Sequence, residues 1–144
     1  MEDPCKIPDN LRERIMQCKS IAVMPFDDNA LSECYRTARF FQDLGWRIYP
    51  IHDRCERIID EACYRDIRLI PDDYDILLLF CSSDQLPEVV NSVFNADYMP
   101  PIVWGHTGTF DRDSCDRLFE ADIMVVMDRN LMTVYRTWLE EEGR

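Results

Sequence analysis

Cysteine and histidine are the residue types in this chain with the most direct chemistry, since thiolates act as nucleophiles and both side chains bind metals. The number of cysteines is odd, and no two of them have C-x-x-C spacing. Only His52 and His106 could complete a zinc site, so no metal is expected. With no apolar signal segment, we expect reduced thiols in the cytoplasm, most of them buried as small hydrophobic side chains. The cysteines are Cys5, Cys18, Cys34, Cys55, Cys63, Cys81 and Cys115.

Cys81 directly follows the most apolar segment of the chain, and a thiol at the end of a strand is a candidate nucleophile. Its activation needs a neighbouring base, which His52 or His106 would have to supply. The simpler interpretation is a buried thiol that does no chemistry. His106 lies in the segment Gly105–Gly108 and is a candidate ligand contact more than a catalytic base. We therefore expect no catalytic residue, and an enzyme based on Cys81 or His106 is the third of three functional hypotheses.

Asp27 and Asp28 form an acidic pair after the first predicted strand, and three interpretations apply to them. They cap the following helix, they bind a cation, or they correspond to the acidic pair of a response-regulator receiver. A receiver also needs an aspartate at the end of the third strand and a lysine at the end of the fifth. Those places hold Phe80-Cys81 and Met127-Asp128, which argues against phosphotransfer and leaves the other two interpretations.

Charge and glycine content exclude several classes of partner. The 144 residues carry a formal net charge of −12, from 16 basic and 28 acidic side chains. This surplus argues against nucleic acid and anionic membranes, which would be repelled. No apolar run approaches the roughly 20 residues that span a bilayer. Among the first 44 residues there is no glycine, so a Gly-rich phosphate loop near the N-terminus is not expected.

The pattern of apolar residues predicts five strands that alternate with helices. This alternation implies one domain, residues 1–144 with a core at about 11–139, built as an open parallel α/β sheet with helices on both faces. Ligands then bind at the carboxyl ends of the strands. Residues 53–72 predict only a turn or two of helix and irregular chain. The predicted strands are Ser20–Met24, Trp46–Ile51, Tyr74–Phe80, Pro101–Trp104 and Asp122–Met127, and the predicted helices are 11–18, 30–44, 86–94, 113–120 and 131–138.

Several segments, in order, resemble one family over nearly the whole chain, from Leu11 to Leu139. The family is that of small stand-alone CoA-binding proteins with a Rossmann-like fold, related to the CoA-binding domain of succinyl-CoA synthetase α-subunits. The matching segments are Ser20-Ile-Ala-Val, Gly45-Trp-Arg-Ile-Tyr-Pro-Ile-His, Ile70-Pro-Asp-Asp-Tyr-Asp-Ile, Leu86-Pro-Glu-Val-Val, Val103-Trp and Val125-Val-Met-Asp-Arg.

The resemblance implies a five-stranded sheet of order 3-2-1-4-5 with CoA lying over the strand ends. It places the pyrophosphate at a glycine-containing turn after the first strand and a basic residue after the second. The loop after the third strand would border the adenine and the pantetheine. Carried onto this sequence, the implied CoA-contact residues are Phe26, Asn29, Arg54, Cys81, Ser82, Ser83, His106 and Arg129.

The sequence also departs from the family pattern, which identifies it as a divergent member. Pro25, Asp27 and Asp28 stand in the turn where the family has glycine, and Asp53 precedes the basic Arg54. The first hypothesis is non-catalytic binding of CoA, acyl-CoA or a related nucleotide. The alternative is a degenerate CoA-binding fold that has lost its ligand and acts as a protein–protein interaction subunit. The expected partner is accordingly a small nucleotide ligand or a protein.

Overall fold

Residues 3–143 are described by a computed structural model whose centre is a parallel five-stranded sheet. Each of its strands falls within a segment predicted from the apolar pattern, apart from one residue at the end of the fourth. Two further short strands form a separate hairpin between the second and third predicted strands. In chain order the strands are β1 (Ser20–Met24), β2 (Arg47–Pro50), β3 (Arg57–Ile58), β4 (Glu61–Ala62), β5 (Ile76–Leu79), β6 (Ile102–Gly105) and β7 (Met124–Val126).

The order of the central sheet is β2-β1-β5-β6-β7, and all of its neighbouring strands are parallel. Beyond β2, Tyr64 forms one parallel bridge with Ile51. If the segment at Tyr64 is counted as the third strand, β5 as the fourth and β6 as the fifth, the sheet has the predicted order 3-2-1-4-5. The strand β7 then follows as a sixth. The strand counted third in the sequence, Tyr74–Phe80, lies instead next to β1. A buried apolar strand fits either place, so its pattern does not reveal its neighbour.

Helices cover both faces of the sheet, as predicted. One face packs on the first, second and fifth helices, and the other face packs on the third and fourth. The first of these cores contains an aromatic group in which Tyr135 packs edge-on against Phe41 and Trp46. The helices are α1 (Leu11–Met16), α2 (Glu33–Asp43), α3 (Leu86–Asn95), α4 (Arg112–Glu120) and α5 (Leu131–Glu141).

The segment 53–72 differs from its prediction. Its helical content is a single 3-10 turn, Ile67–Leu69, and β3 and β4 form a hairpin. Ile59 and Asp60 make the turn with positive φ values of 49° and 62°, a conformation that a β-branched residue rarely adopts. Strands of two residues and a turn without glycine leave no recognisable sequence pattern, which is why the hairpin was missed. Across residues 3–143, no helix has both the length and the apolar character needed to cross a membrane.

Candidate functional site

The candidate site is the crevice at the carboxyl ends of β1 and β5. Chain order reverses here, since β1 leads to β2 on one side while β5, β6 and β7 follow on the other. The loops after the two strands diverge at such a point and leave room for a ligand. Pro25 borders three adjoining clefts, with volumes of about 440, 360 and 230 Å³. The first reaches toward the end of β2, and the third lies between Cys81 and α3.

Three N–H groups of the turn after β1 already donate to side chains of the protein. The N–H of Asn29 donates to Asp27 Oδ1 at 2.9 Å, and the N–H of Leu31 donates to Asn29 Oδ1 at 2.9 Å. The N–H of Asp27 donates to Cys34 Sγ at 3.3 Å. A phosphate bound to such a turn would need these N–H groups. The Asp27 carboxylate therefore holds a position that a ligand oxygen would take, and the turn as built does not fit a phosphate.

Ser32, and not the acidic pair, caps α2. Its Oγ accepts from the N–H of Tyr35 at 3.1 Å, which makes it the N-cap residue. Asp27 bonds within the turn, and Asp28 points toward His52, with 4.0 Å between Asp28 Oδ2 and His52 Nε2. The helix-capping interpretation of the acidic pair is therefore wrong, because a serine nearer to the helix already makes that bond.

His52 is buried in the loop after β2, and backbone hydrogen bonds determine which of its ring nitrogens is the acceptor. Its Nδ1 accepts from the N–H groups of both Arg54 and Cys55 at 3.0 Å. A ring nitrogen that accepts hydrogen bonds carries no proton, so the neutral ring must carry its proton on Nε2. Arg65 stabilises the same loop by donating to the carbonyl oxygens of residues 52, 54 and 55. The Arg54 guanidinium is 87% exposed beside the cleft and lies 3.8 Å from Asp53.

Asp28, His52 and Cys55 are close enough to suggest a metal site, with donor atoms within 4.8 Å of one another. The donor chemistry does not fit. A histidine that ligates through Nε2 needs a free lone pair there and usually donates its other N–H to an acceptor. Here Nδ1 faces two donors, so Nε2 keeps its proton. The pKa of the Cys55 thiol is also raised, by desolvation and then by Asp28. These residues therefore do not form a metal centre.

The loop after β5 bonds to the loop after β6. The Ser83 hydroxyl donates to the Gly108 carbonyl oxygen and accepts from the N–H of Phe110, both at 3.1 Å. The N–H of Ser82 donates to Gln85 Oε1 at 3.1 Å. Cys81 is buried, and its burial raises the pKa of the thiol to about 11. A thiol with that pKa is protonated at neutral pH and is a poor nucleophile.

His106 and Glu33 meet across the mouth of the crevice. His106 Nε2 lies 2.6 Å from Glu33 Oε2, with the imidazole as donor and the carboxylate as acceptor. The His106 ring packs on Phe80, with 4.4 Å between ring centroids. The imidazole is 7% exposed, whereas the Glu33 side chain is 59% exposed. A buried donor is thus paired with an acceptor that solvent reaches.

Arg129 points away from the crevice. Its guanidinium donates to the carbonyl oxygen of Cys5 at 3.1 Å, and its own carbonyl oxygen accepts from Trp104 Nε1 at 2.8 Å. The neighbouring Asp128 accepts from the N–H of Gly108 through Oδ1 at 2.7 Å. Through its bond to Cys5, Arg129 links the segment before α1 to the loop after β7.

The implied contact residues thus share one edge of the sheet but differ in availability. Arg54 is open to solvent beside the cleft, and His106 faces the crevice through its contact with Glu33. Asn29 belongs to the turn after β1. Phe26 is buried, with its ring 6.1 Å from that of Tyr35. Cys81 is buried, Ser83 and Arg129 are bonded within the chain, and Ser82 is exposed with its N–H bonded to Gln85.

Two residues at the crevice were not expected from the sequence. Glu33 contacts His106 across 73 positions of sequence, and a contact of that range leaves no local pattern. Arg65 lies in the segment whose conformation was not predicted. Its three bonds to carbonyl oxygens depend on the loop that they stabilise.

Comparison with known families agrees with this geometry. Residues 19–136 match the sequence model of a family described as CoA binding domain. The chain belongs to this CoA-binding domain family. The match runs from just before β1 to within α5, so it includes every strand and the whole crevice.

Two relatives share most of their length with this member of the family. The uncharacterized protein YneT of Bacillus subtilis (strain 168) is 25% identical over 128 residues, which cover 89% of this chain and 92% of YneT. A hypothetical protein from Pyrococcus horikoshii OT3 superposes with a TM-score of 0.83 at 21% identity, over 96% of this chain and 99% of that one. The latter likeness shows the α/β fold.

A larger enzyme contains a similar fold. A dinucleotide forming Acetyl-coenzyme A synthetase 1 of Ca. Korarchaeum cryptofilum, solved in complex with phosphate and ADP, superposes with a TM-score of 0.70 at 17% identity. The similarity covers 81% of this chain and 27% of the synthetase. The CoA-binding-like protein therefore corresponds in fold to about a quarter of that enzyme. Low identity in all three comparisons fits a divergent family member.

Proposed function

We propose that this protein binds CoA or an acyl-CoA without catalysing a reaction on it, in the crevice around Pro25. The observation that carries the proposal is the cleft of about 440 Å³ that joins the end of β1 to the end of β2. Arg54 borders it with an exposed guanidinium, a group that binds phosphate well. A CoA phosphate in this cleft would contact Arg54 instead of the turn after β1, where the N–H groups of Asn29 and Leu31 already have acceptors.

The side chains of the crevice favour binding over catalysis. The Cys81 thiol is protonated at neutral pH because burial raises its pKa to about 11. The Ser83 hydroxyl already donates one hydrogen bond and accepts another within the chain. The hydrogen-bond partner of His106 is Glu33, and those of His52 are two backbone N–H groups. Among the described residues, no nucleophile is hydrogen-bonded to a histidine, as a Ser-His or Cys-His pair requires.

Calorimetric titration of the whole chain with CoA at low salt tests the proposal. We expect saturable binding that Arg54→Ala weakens by roughly fivefold, since one exposed charge–phosphate contact contributes about 1 kcal/mol. Arg68→Ala is the matched control, because Arg68 is also an exposed arginine but pairs with Asp66 away from the cleft. Absence of heat and of thermal stabilisation at millimolar CoA would refute the proposal, and an equal effect of both variants would remove Arg54 from the site.

A second function is favoured by the turn after β1. Its N–H groups donate to Asp27 and Asn29, and two acidic residues stand where a phosphate would approach. These observations support the alternative hypothesis, in which the fold has lost its ligand and serves as an interaction subunit. Replacement of Pro25–Asp28 by a neutral, glycine-containing turn separates the two. If the wild type binds no CoA and this variant does, the ligand was lost at the turn.

A further inference from the structure

Cys55 and Cys63 stand on either side of the hairpin formed by β3 and β4, and both thiols are partly exposed. Cys5, in the segment before α1, is the third partly exposed cysteine, and the other four are buried. Cys55 lies just before β3, and Cys63 directly follows β4. Neither thiol takes part in the proposed binding of CoA, so the pair needs an explanation of its own.

The pairing of the hairpin brings the two cysteines together. Arg57 pairs with Ala62, and the N–H of Cys63 continues the ladder outward by donating to the carbonyl oxygen of Glu56 at 2.9 Å. Cys55 is therefore only one residue out of register with Cys63. Paired residues of antiparallel strands lie about 4.5–5.5 Å apart, and a disulfide joins residues whose Cα atoms are about 4.4–6.8 Å apart. The backbone thus holds the two cysteines at a spacing that a disulfide can bridge.

The two side chains also face the same way. Both thiols pack against the core on the side of α1, α2 and α5, to which Ile58 of the hairpin belongs. Desolvation is the largest cause that raises the pKa of the Cys63 thiol, and the charge of Cys55 is the second. An electrostatic effect of one thiol on the other requires that the two sulfur atoms be neighbours.

Charged side chains around the pair set its reactivity. Arg65 acts on both thiols and favours their thiolate forms, which are the nucleophiles of disulfide exchange. Asp28 opposes it, since the Cys55 thiol donates to Asp28 Oδ2 at 3.6 Å. Desolvation and Asp28 prevail at Cys55, so the pKa of its thiol is raised, as is that of Cys63. Both thiols therefore react slowly at neutral pH and faster in mild alkali.

We propose that Cys55 and Cys63 are a redox-active dithiol, which a low-molecular-weight disulfide such as oxidised glutathione converts into an intramolecular disulfide. The thiolate of one cysteine attacks glutathione disulfide, forms a mixed disulfide and releases one glutathione, which takes up the proton that the cysteine lost. The second cysteine loses its proton and attacks the protein sulfur of the mixed disulfide, which releases the second glutathione. Two protein thiols are oxidised, one glutathione disulfide is reduced, and excess thiol reverses the reaction.

The disulfide would tie the loop after β2 to the end of β4. The loop is already held on the Cys55 backbone, whose N–H donates to His52 Nδ1 and whose carbonyl oxygen accepts from Arg65. Closure of this stretch of chain removes conformations from the unfolded state, and so it stabilises the folded one. The inference goes beyond the proposed function, since the dithiol is present whether or not the crevice binds CoA.

Incubation of the whole chain with excess oxidised glutathione at about pH 8 tests the dithiol. We expect peptide mapping of the wild type to find Cys55 joined to Cys63, and we expect Tm to rise by about 5 °C. Cys55→Ser and Cys63→Ser should each leave the remaining cysteine as a mixed disulfide with glutathione, without the rise in Tm. Cys5→Ser is the matched control, because it removes a partly exposed thiol away from the hairpin and should behave as the wild type does.

The rate of disulfide formation provides a second arm. Asp28→Asn removes the carboxylate that keeps the Cys55 thiol protonated, so it should speed the reaction by about threefold, which corresponds to half a pKa unit. Asp53→Asn removes a charge from the same loop that faces His52 and Arg54, and it should leave the rate unchanged. If the wild type forms no internal disulfide, carries glutathione on both cysteines without joining them, or joins a different pair, the proposal is overturned. CoA binding is not part of the readout, so either proposal can fail while the other stands.

Discussion

His52 shows how the backbone around one side chain decides what that side chain can do. By composition alone, a histidine near a cysteine and an aspartate suggests a metal ligand. The two N–H groups that face Nδ1 reverse this interpretation, because they fix the proton on Nε2. The same two bonds give His52 a structural role, since they hold the loop after β2 in the shape that presents Arg54 to the cleft.

Substitutions of His52 should therefore follow hydrogen-bond geometry and not metal chemistry. Asparagine places Oδ1 near the position of Nδ1, so His52→Asn should cost less than about 1 kcal/mol of unfolding free energy. His52→Ala leaves two backbone donors without an acceptor and should cost about 2–3 kcal/mol. Urea unfolding measures both, in the presence and absence of a chelator. A chelator-dependent stability, or an equal loss in both variants, would contradict the assignment.

At the scale of elements, α2 shows that a serine can be the N-cap of a helix even where an acidic pair precedes it. Ser32 makes the capping bond, and Asp28 turns away toward His52. Removing the cap by Ser32→Ala should lower the unfolding free energy by about 1 kcal/mol. Asp28→Ala is the control and should change it by less than about 0.5 kcal/mol, since its charge is exposed. Denaturant unfolding of both variants tests this, and the reverse order of losses would restore Asp28 as the cap.

The regular elements were predictable because each has its own local pattern. The run around Ile76–Leu79 is apolar throughout, and the α2 segment repeats its apolar residues at helical spacing. The place of β5 beside β1 was not predictable, since strand order depends on contacts between distant segments. The hairpin of β3 and β4 was too short to show a period.

The site was predictable to the same degree. Loops at the carboxyl ends of strands follow from the fold, and residues implied by the resemblance lie on those loops. Their hydrogen-bond partners did not follow. That Ser83 bonds the β6 loop, or that Glu33 reaches His106, depends on where two separate loops come together. The sequence therefore indicated which loops meet at the crevice, but not which of their groups are already bonded within the chain.

At the scale of the whole molecule, part of the net charge of −12 is placed at the crevice. Asp27 and Asp128 each accept from a backbone N–H of a strand-end loop, and Glu33 accepts from His106. Such donors are the groups by which α/β folds bind anions. Internal carboxylates therefore occupy donors that a phosphate would otherwise use, so we expect the acidity of this divergent member to weaken anion binding at this edge of the sheet.

The buried thiols make the stability of the whole molecule sensitive to alkaline pH. Burial is the largest cause that raises the pKa of Cys18 and Cys34 from 9 to about 12, and of Cys81 and Cys115 to about 11. In the unfolded chain these thiols ionise above pH 9, while in the folded protein they stay protonated. The folded state then binds more protons, so stability is fully present below pH 9 and falls as pH rises toward 11.

Each of the four thiols should lower the unfolding free energy by about 1 kcal/mol per pH unit above 9, which is equivalent to roughly 2–4 °C in Tm. Tm measured between pH 7 and pH 10.5 under reducing conditions should show this decline. Cys115→Ala should lower Tm at pH 7 through the cavity it creates, but its decline above pH 9 should be about a quarter shallower. Val93→Ala, which also shortens a buried side chain but removes no thiol, should lower Tm equally at every pH. If the Tm of Cys115→Ala falls above pH 9 as steeply as the Tm of Val93→Ala, ionisation of the buried thiols is not what limits stability in alkali.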